Sequence, residues 1–485
     1  MRLDMALWRN PLLVKHRWSR LRRQHLVPSV LAVLITCCFI MWWASSTDSL
    51  TNGYAFWALV VLQSFLLFLV GTSEVATAVE RARDSGVLDF HRIAPEPPLA
   101  TVIGFILGAP IREYVLVAYT LPFSLICVLM GSPGFLGFCA VLVVLVAASL
   151  LYHSVAALAA LSAPKPRGVG KWIVALVAIV HVGSAVDHVG LVTIVPTCRQ
   201  VFAAGTELSY RVEFFGLEAS PFLLTLLHLV PLVAFVLVAA VRCVRRETSA
   251  PFSKPMAVVV HAIASFLILG DVWSAFGLEY RTAAAVYGSV LIGVAMCAAS
   301  TPSAGAFAKG VRRARKAERS GASWWDDAAA NWASVGALCG VVVVTGTMAW
   351  VTEVELYTRP TDAILSVVIG TCVTAYFGWA LQFAVLKYPR AAQHYFALFL
   401  FVAWGLPLAA AGILAVSYDE SFATSVGALS PIMGIGIADG WLSALTSSIG
   451  WAVVFGFLAA RGVREAALMA TAPPIITGVD EADVA

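Results

Sequence analysis

Twelve stretches of roughly twenty apolar residues each follow one another along this chain with only short breaks between them. They run over 27–46, 54–78, 99–130, 135–162, 172–190, 221–241, 256–277, 282–300, 332–351, 362–386, 394–416 and 438–460. Crossing a hydrocarbon core takes about 20 helical residues at about 1.5 Å each. Inside that core a helix satisfies all of its own backbone hydrogen bonds, whereas a loop or an open sheet edge does not. The pattern therefore predicts an all-α membrane protein with about twelve transmembrane helices. Composition excludes the soluble classes: 60% of the 485 residues are hydrophobic and 12% charged, and the mean hydropathy is +0.86. So few charged side chains cannot cover a water-facing surface, and so many apolar ones exclude a disordered chain. The run 99–130 is too long for one straight span and contains Pro110, which predicts a kink or an interfacial first part.

The distribution of Lys and Arg orients the spans. With the N-terminus inside, the inner segments are 1–26, 79–98, 163–171, 242–255, 301–331, 387–393 and 461–485, and they hold 27 of the 32 basic residues. Four fall on the outer side (Arg199, Arg211, Arg281 and Arg359), and Arg112 lies inside an apolar run. The asymmetry follows the positive-inside rule at every alternate loop and predicts cytoplasmic N and C termini. The net charge of +4 is spread over these loops, so no nucleic-acid partner is expected. Residues 7–23 place Leu7, Val14, Trp18 and Leu21 on one helical face among Arg9, Arg17, Arg20, Arg22 and Arg23, an amphipathic helix on the membrane surface. Lys309 to Arg319, followed by Trp324 and Trp325, reads as a second surface helix, and 461–485 reads as a cytoplasmic tail.

Signatures of chemistry are missing. No G-x-x-x-x-G-K-[ST], H-E-x-x-H or G-x-S-x-G occurs, and the nine cysteines form no C-x-x-C. His181, Asp187 and His188 read as interfacial polar residues at a helix end. Catalytic, cofactor-binding and metal sites are accordingly expected to be none. The pairs Gly104/Gly108, Gly336/Gly340 and Gly436/Gly440 read as close helix contacts. The notable ionisable residues within apolar runs are Glu74, Arg112 and Glu113, costly in lipid unless paired. Adjacent helical positions do not face each other, so Arg112 is expected to find its partner on another helix, with Glu74 the candidate.

The inner loop after the second span is the most informative stretch. It reads Glu80-Arg81-Ala82-Arg83-Asp84-Ser85-Gly86-Val87-Leu88-Asp89-Phe90-His91-Arg92-Ile93-Ala94-Pro95. It resembles the loop of type-2 ABC exporter permeases, in which a Glu-Arg pair precedes Gly, Leu, an acid, apolar residues and Pro. Here Glu80 stands two residues further from Gly86 than usual, and His91-Arg92 replaces apolar positions. The start of the chain agrees: Asn10-Pro11-Leu12-Leu13-Val14-Lys15 with Ser19-Arg20-Leu21-Arg22-Arg23 is similar to the basic elbow helix before the first span of that family.

The resemblance covers about residues 8–245, and what it implies is specific. ATP is bound by a partner ABC ATPase subunit, and the loop Glu80, Arg81, Gly86, Leu88, Asp89, Phe90 and Pro95 is the coupling contact to it. Leu88 and Phe90 would supply apolar anchors, and Asp89 and Arg92 the charges. The chain would then be no enzyme but a multi-pass exporter permease of a bacterial inner membrane. Its units would be 1–26 (elbow), 27–247 (first six spans), 256–460 (second six spans) and 461–485 (tail).

The second half echoes the first. Glu318-Arg319-Ser320-Gly321 faintly echoes Arg83-Asp84-Ser85-Gly86, Ser430-Pro431 repeats Ser220-Pro221, and 421–437 is apolar and Gly-rich enough to re-enter the membrane from outside. A true repeat would let one chain form the pathway that six-span permeases build as dimers; otherwise a second permease copy is a further partner beside the lipid bilayer. The rival readings are a twelve-span secondary transporter and a membrane-embedded transferase. The first would carry a Gly-x-x-x-Asp-Arg-x-Gly-Arg-Arg-like loop that 79–98 lacks. The second would cluster acidic or His residues at a membrane face, whereas Glu207, Glu213 and Glu218 in the outer loop 191–220 form no constellation.

Overall fold

The computed structural model describes residues 10–47, 53–94, 96–130, 134–162, 212–246, 250–275, 278–319, 323–353, 360–417, 420–430, 435 and 441–471. The expected span 172–190, with His181, Asp187 and His188, lies outside the described residues, as do the Gly436/Gly440 pair and Pro95. Among the described residues eleven helices are long and apolar enough to cross a membrane. The protein is an all-α, multi-pass membrane protein. Its chain divides into two compact units, Met1–Glu247 with Gly270–Ala275, and Thr248–Leu269 with Phe276–Ala485.

The first unit opens with a short helix, α1 (Pro11–Arg20), and the first span, α2 (Arg23–Ser46). The second span is one long rod, α3 (Tyr54–Asp84), whose middle turn Phe65–Gly71 is π-helical. A seven-residue helix, α4 (Val87–Ile93), follows. The expected break at Pro110 is present: α5 (Pro98–Gly108) ends there, and the third span is α6 (Ile111–Leu129). Proline lacks the N–H and crowds the preceding turn, which favours the break at Pro110, although Pro28, Pro122 and Pro231 are carried within continuous helices. The unit continues with α7 (Phe135–Ser162), an antiparallel hairpin β1 (Val212–Phe214) and β2 (Leu217–Ala219), and α8 (Pro221–Arg245). Its core joins Phe56, Leu59, Leu67, Phe68, Phe105 and Leu145, all 2% exposed or less. On α2, by contrast, Leu31, Ile35, Phe39 and Trp42 are exposed, as expected for a span that faces lipid.

Helix α1 is seated by sequence-local chemistry. The Asn10 Oδ1 accepts from the Leu12 and Leu13 N–H groups at 2.9 and 3.3 Å, capping the helix, and Pro11 occupies its first turn. The Asn10 Nδ2 donates to the Ala100 carbonyl at 2.6 Å, which ties the cap to α5. A Cβ at Gly104 would lie 2.8 Å from the Leu12 Cβ, and one at Gly108 would lie 3.2 Å from the Leu13 Cα. That glycine pair is the groove for α1. At Gly336 and Gly340 a Cβ would meet nothing within 4 Å, so the expected close helix contact is not found at the second pair among the described residues. Helix α1 turns Leu12, Leu13 and His16 to the protein and leaves Trp18 exposed on the apolar face expected from the sequence.

The second unit holds α9 (Lys254–Ala275, whose last residues belong to the first unit), α10 (Leu278–Ser300), α11 (Ala304–Lys316), α12 (Trp332–Glu353) and α13 (Pro360–Lys387). Next comes α14, built from Ala392–Leu400, a π turn Phe401–Gly405 and Leu406–Ser417. The short α15 (Glu420–Gly427) and the long α16 (Trp441–Thr471) complete it. Tyr376, Leu338 and Val286 are among its fully buried residues. The basic helix expected over 309–319 starts earlier and ends at Lys316, capped by the Ser303 hydroxyl, which accepts from the Ala306 N–H at 3.2 Å.

The last span ends later than its hydropathy suggests, since α16 runs to Thr471 and takes in 461–471 of the expected tail. Glu465 and the last carbonyls of this stretch have partners. Glu465 pairs with Lys387 at 2.5 Å and with Arg461 at 2.7 Å, while Arg312 and Arg315 of α11 donate to the Ala470 and Thr471 carbonyls at 3.1 and 2.9 Å. Those last carbonyls have no partner within their own helix, and cationic donors are favoured there.

Candidate functional site

Two features stand out in the first unit: the short helix α4 and a charged network beneath α1. Gly86 opens α4 at φ +72°, a left-handed conformation that glycine adopts without strain. The helix is held on its inner side. Leu88 is 1% exposed within the unit's core, and Arg92 donates through Nε to the Val244 carbonyl of α8 at 3.2 Å. Arg92 also meets Asp89 one turn away at 2.5 Å, and His91 meets Glu96 at 3.1 Å. The outer side carries Phe90 and Ile93, 65% and 84% exposed, beside the exposed Asp89 carboxylate.

This corrects the role expected for Leu88. A seven-residue helix resting on α3, α5 and α8 must turn one apolar residue inward, and that residue is Leu88. Leu88 therefore anchors α4 to its own unit, and the apolar face available to another molecule is Phe90 with Ile93. The two earlier residues of the loop lie on the last turns of α3. Glu80 is half-buried and Arg81 exposed. In each unit, moreover, a helix placed after the second span touches the last span: α4 against α8, and α11 against α16.

The charged network joins three helices. Arg112 places its Nε and Nη2 at 3.0 and 2.7 Å from the Glu113 Oε1 and its Nη2 3.7 Å from the Glu74 Oε1. The other oxygen of Glu74 is bonded to Arg20 of α1. Glu74 on α3 is thus a partner of Arg112 as expected, but at the longer distance; the adjacent Glu113 is nearer. Both residues stand in the first turn of α6, just past the Pro110 break, where the long guanidinium side chain curls back onto its neighbour. Glu113 is 1% exposed, so its charge is neutralised within the protein. The sequence alone did not single out Arg20, yet it shares a face with Leu13 and His16 at the i, i+3, i+7 spacing.

His16 faces this network from α1. Burial holds its imidazole down at about 4 from an ordinary 6.5, with Lys15 and Arg20 pressing in the same direction and Glu74 opposing them. The seated helix thus binds fewer protons than a free one. Seating is expected to be strongest above pH 6.5 and to weaken as the pH falls toward 4, by up to roughly tenfold per pH unit. Hydrogen exchange of the α1 amides at stepped pH measures this directly. His16→Gln should flatten the dependence; an unchanged profile would show that another group governs it.

Three further polar clusters escaped the sequence reading. His153 of α7 meets the Leu67 carbonyl through Nε2 at 2.9 Å and the Tyr114 hydroxyl through Nδ1 at 3.0 Å. With Nε2 as the donor, Nδ1 accepts from the tyrosine. Leu67 lies in the π turn of α3, where the helical hydrogen-bond register is disturbed. His228 of α8 lies 2.9 Å from Asp271, both side chains nearly fully buried, with Phe214 of the hairpin edge-on to the imidazole. In the second unit Lys254 is fully buried, and its ammonium donates to the carbonyls of Trp324, Asp326, Ala329 and Ala330 at 3.3, 2.7, 2.8 and 2.9 Å. None of the three was visible as a motif, because their hydrogen-bonding partners are side chains 39 or more residues away along the chain or are backbone atoms.

Among the described residues no group of three or more His, Cys, Asp or Glu is placed to hold a metal ion. No family model matches the chain, and no curated protein and no solved structure is similar to it.

Proposed function

We propose that this chain is the membrane-spanning permease of a type-2 ABC exporter of a bacterial inner membrane, with cytoplasmic termini, driven by a separate ATPase subunit. The observation that carries the reading is the outer face of α4. A short helix after the second span is clamped to its unit by Leu88 and by Arg92 and offers Phe90, Ile93 and Asp89 to a partner. Such a lever transmits force because its inner side is fixed to α3 and α8 while its outer side is free. The seated amphipathic α1 before the first span supports the same reading. ATP hydrolysis falls to the partner, and the permease contributes the spans that move.

The reading is tested by purifying the chain from its native membrane in mild detergent. An ATPase subunit should accompany it. Phe90→Arg with Ile93→Arg should remove that subunit while leaving folding intact, because both side chains are exposed; spoiling a central anchor commonly costs about 2 kcal/mol or more. A parent chain that carries no ATPase would overturn the reading and leave a secondary transporter in its place.

A further inference from the structure

A cavity of about 430 Å³ lies under α1 in the first unit. Its lining includes Lys15, Arg20, Arg81 and Arg112, the hydroxyl residues Ser19 and Ser85, and an apolar side formed by Leu12, Val87 and Phe105. His16 lines it too; that side chain is more than nine-tenths buried, and its Nε2 has no hydrogen-bond partner among the described residues. Four cations converge here against the carboxylates of Glu74 and Glu113, which leaves the site net positive. A buried imidazole nitrogen without a partner is costly, and it marks a place where a further polar group would be accommodated.

We infer that this cavity binds a phosphate group, with the headgroup of an anionic phospholipid as the source the surroundings favour. Arginine matches phosphate oxygens with paired donors, and lysine adds a point charge. The setting suits a lipid. Helix α1 is amphipathic, Trp18 on it is exposed, and α2 continues with exposed Val27, Leu31 and Ile35. A phospholipid could set its phosphate among the cations and lay its chains along that apolar surface. The occupant would bridge α1 to the end of α3 and to the turn that opens α4, since Arg81, Ser85 and Val87 all line the cavity. The inference stands independently of the exporter reading, because it concerns binding and not coupling.

Native mass spectrometry of the full chain, released from nanodiscs of phosphatidylcholine with and without phosphatidylglycerol, tests it. The parent should retain phosphatidylglycerol in preference to phosphatidylcholine. Lys15→Gln with Arg81→Gln should weaken that retention by about tenfold or more, since each lost cation removes a contact of this strength. Both side chains are exposed and take no part in the ion pairs of Arg20 and Arg112, so those pairs stay in place and the fold is preserved. Lys15→Arg with Arg81→Lys should restore binding. Arg17→Gln with Arg22→Gln removes the same charge outside the cavity and should leave retention unchanged.

A second arm adds inorganic phosphate to lipid-free detergent samples and reads the thermal shift. A shift that disappears in the Lys15→Gln, Arg81→Gln protein, without any lipid preference, would assign the phosphate site to a soluble anion. Equal losses in the two glutamine pairs, or a parent indifferent to both phosphatidylglycerol and phosphate, would overturn the inference.

Discussion

Lys254→Met is expected to be the most damaging single substitution in the second unit. The ammonium holds four carbonyls of the segment between α11 and α12, at 2.7–3.3 Å, from a position with no solvent exposure. Methionine fills similar space but donates nothing. Each buried carbonyl stripped of its donor costs about 1–3 kcal/mol, so the total is about 3 kcal/mol or more. Arginine should not rescue, because a planar guanidinium cannot direct its donors into a cage shaped for an ammonium. The thermal midpoint in detergent should fall sharply, and limited proteolysis should open the chain near 323–331. A variant as stable and as protease-resistant as the parent would show that the cage is dispensable.

The second large effect is expected at Arg112. Arg112→Ala leaves Glu113 buried at 1% exposure with no cation beside it. Stripping one partner from a buried pair costs about 3–5 kcal/mol, because the remaining charge stays desolvated. Adding Glu113→Gln to Arg112→Ala should recover much of the loss, since the stranded charge is then gone. The double-mutant cycle read by thermal unfolding separates this coupling from simple loss of packing. Loss of Arg112 should also loosen α1, as Glu74 would then be held by Arg20 alone among the network's cations. Equal stability of the parent and Arg112→Ala would place Arg112 outside any buried pair.

Much of the architecture was legible in the chain because membrane burial leaves a simple signal. Span length and apolarity located eleven helices, and Pro110 marked the one interruption that mattered. The amphipathic helix before the first span was legible over 7–23, where the structure has α1 at Pro11–Arg20. The face of α4 was not legible. Leu88, Phe90 and Ile93 are all apolar, and a seven-residue helix shows too little periodicity to tell which one points inward. The end of α16 was missed because hydropathy stops at the first charges, whereas Glu465 and the arginines of α11 satisfy the helix beyond them. Lys254 read as one more topology-setting cation; its carbonyl partners lie 70–76 residues further on and carry no side-chain signature. Arg112 was recognised as paired, but its nearer partner was excluded by a rule for helix interiors that does not bind a long side chain in a first turn.

In the proposed exporter, the outer face of α4 meets the ATPase subunit. A photo-crosslinking amino acid at Ile93 reports on that contact most directly, because the side chain is 84% exposed and its replacement disturbs no packing. Irradiation of native membranes should join this position to an ATP-binding subunit in good yield, whereas the same probe at Trp18, on the lipid-facing side of α1, should not capture it. Capture of that subunit from Trp18 but not from Ile93, or from neither, would show that α4 does not meet the ATPase.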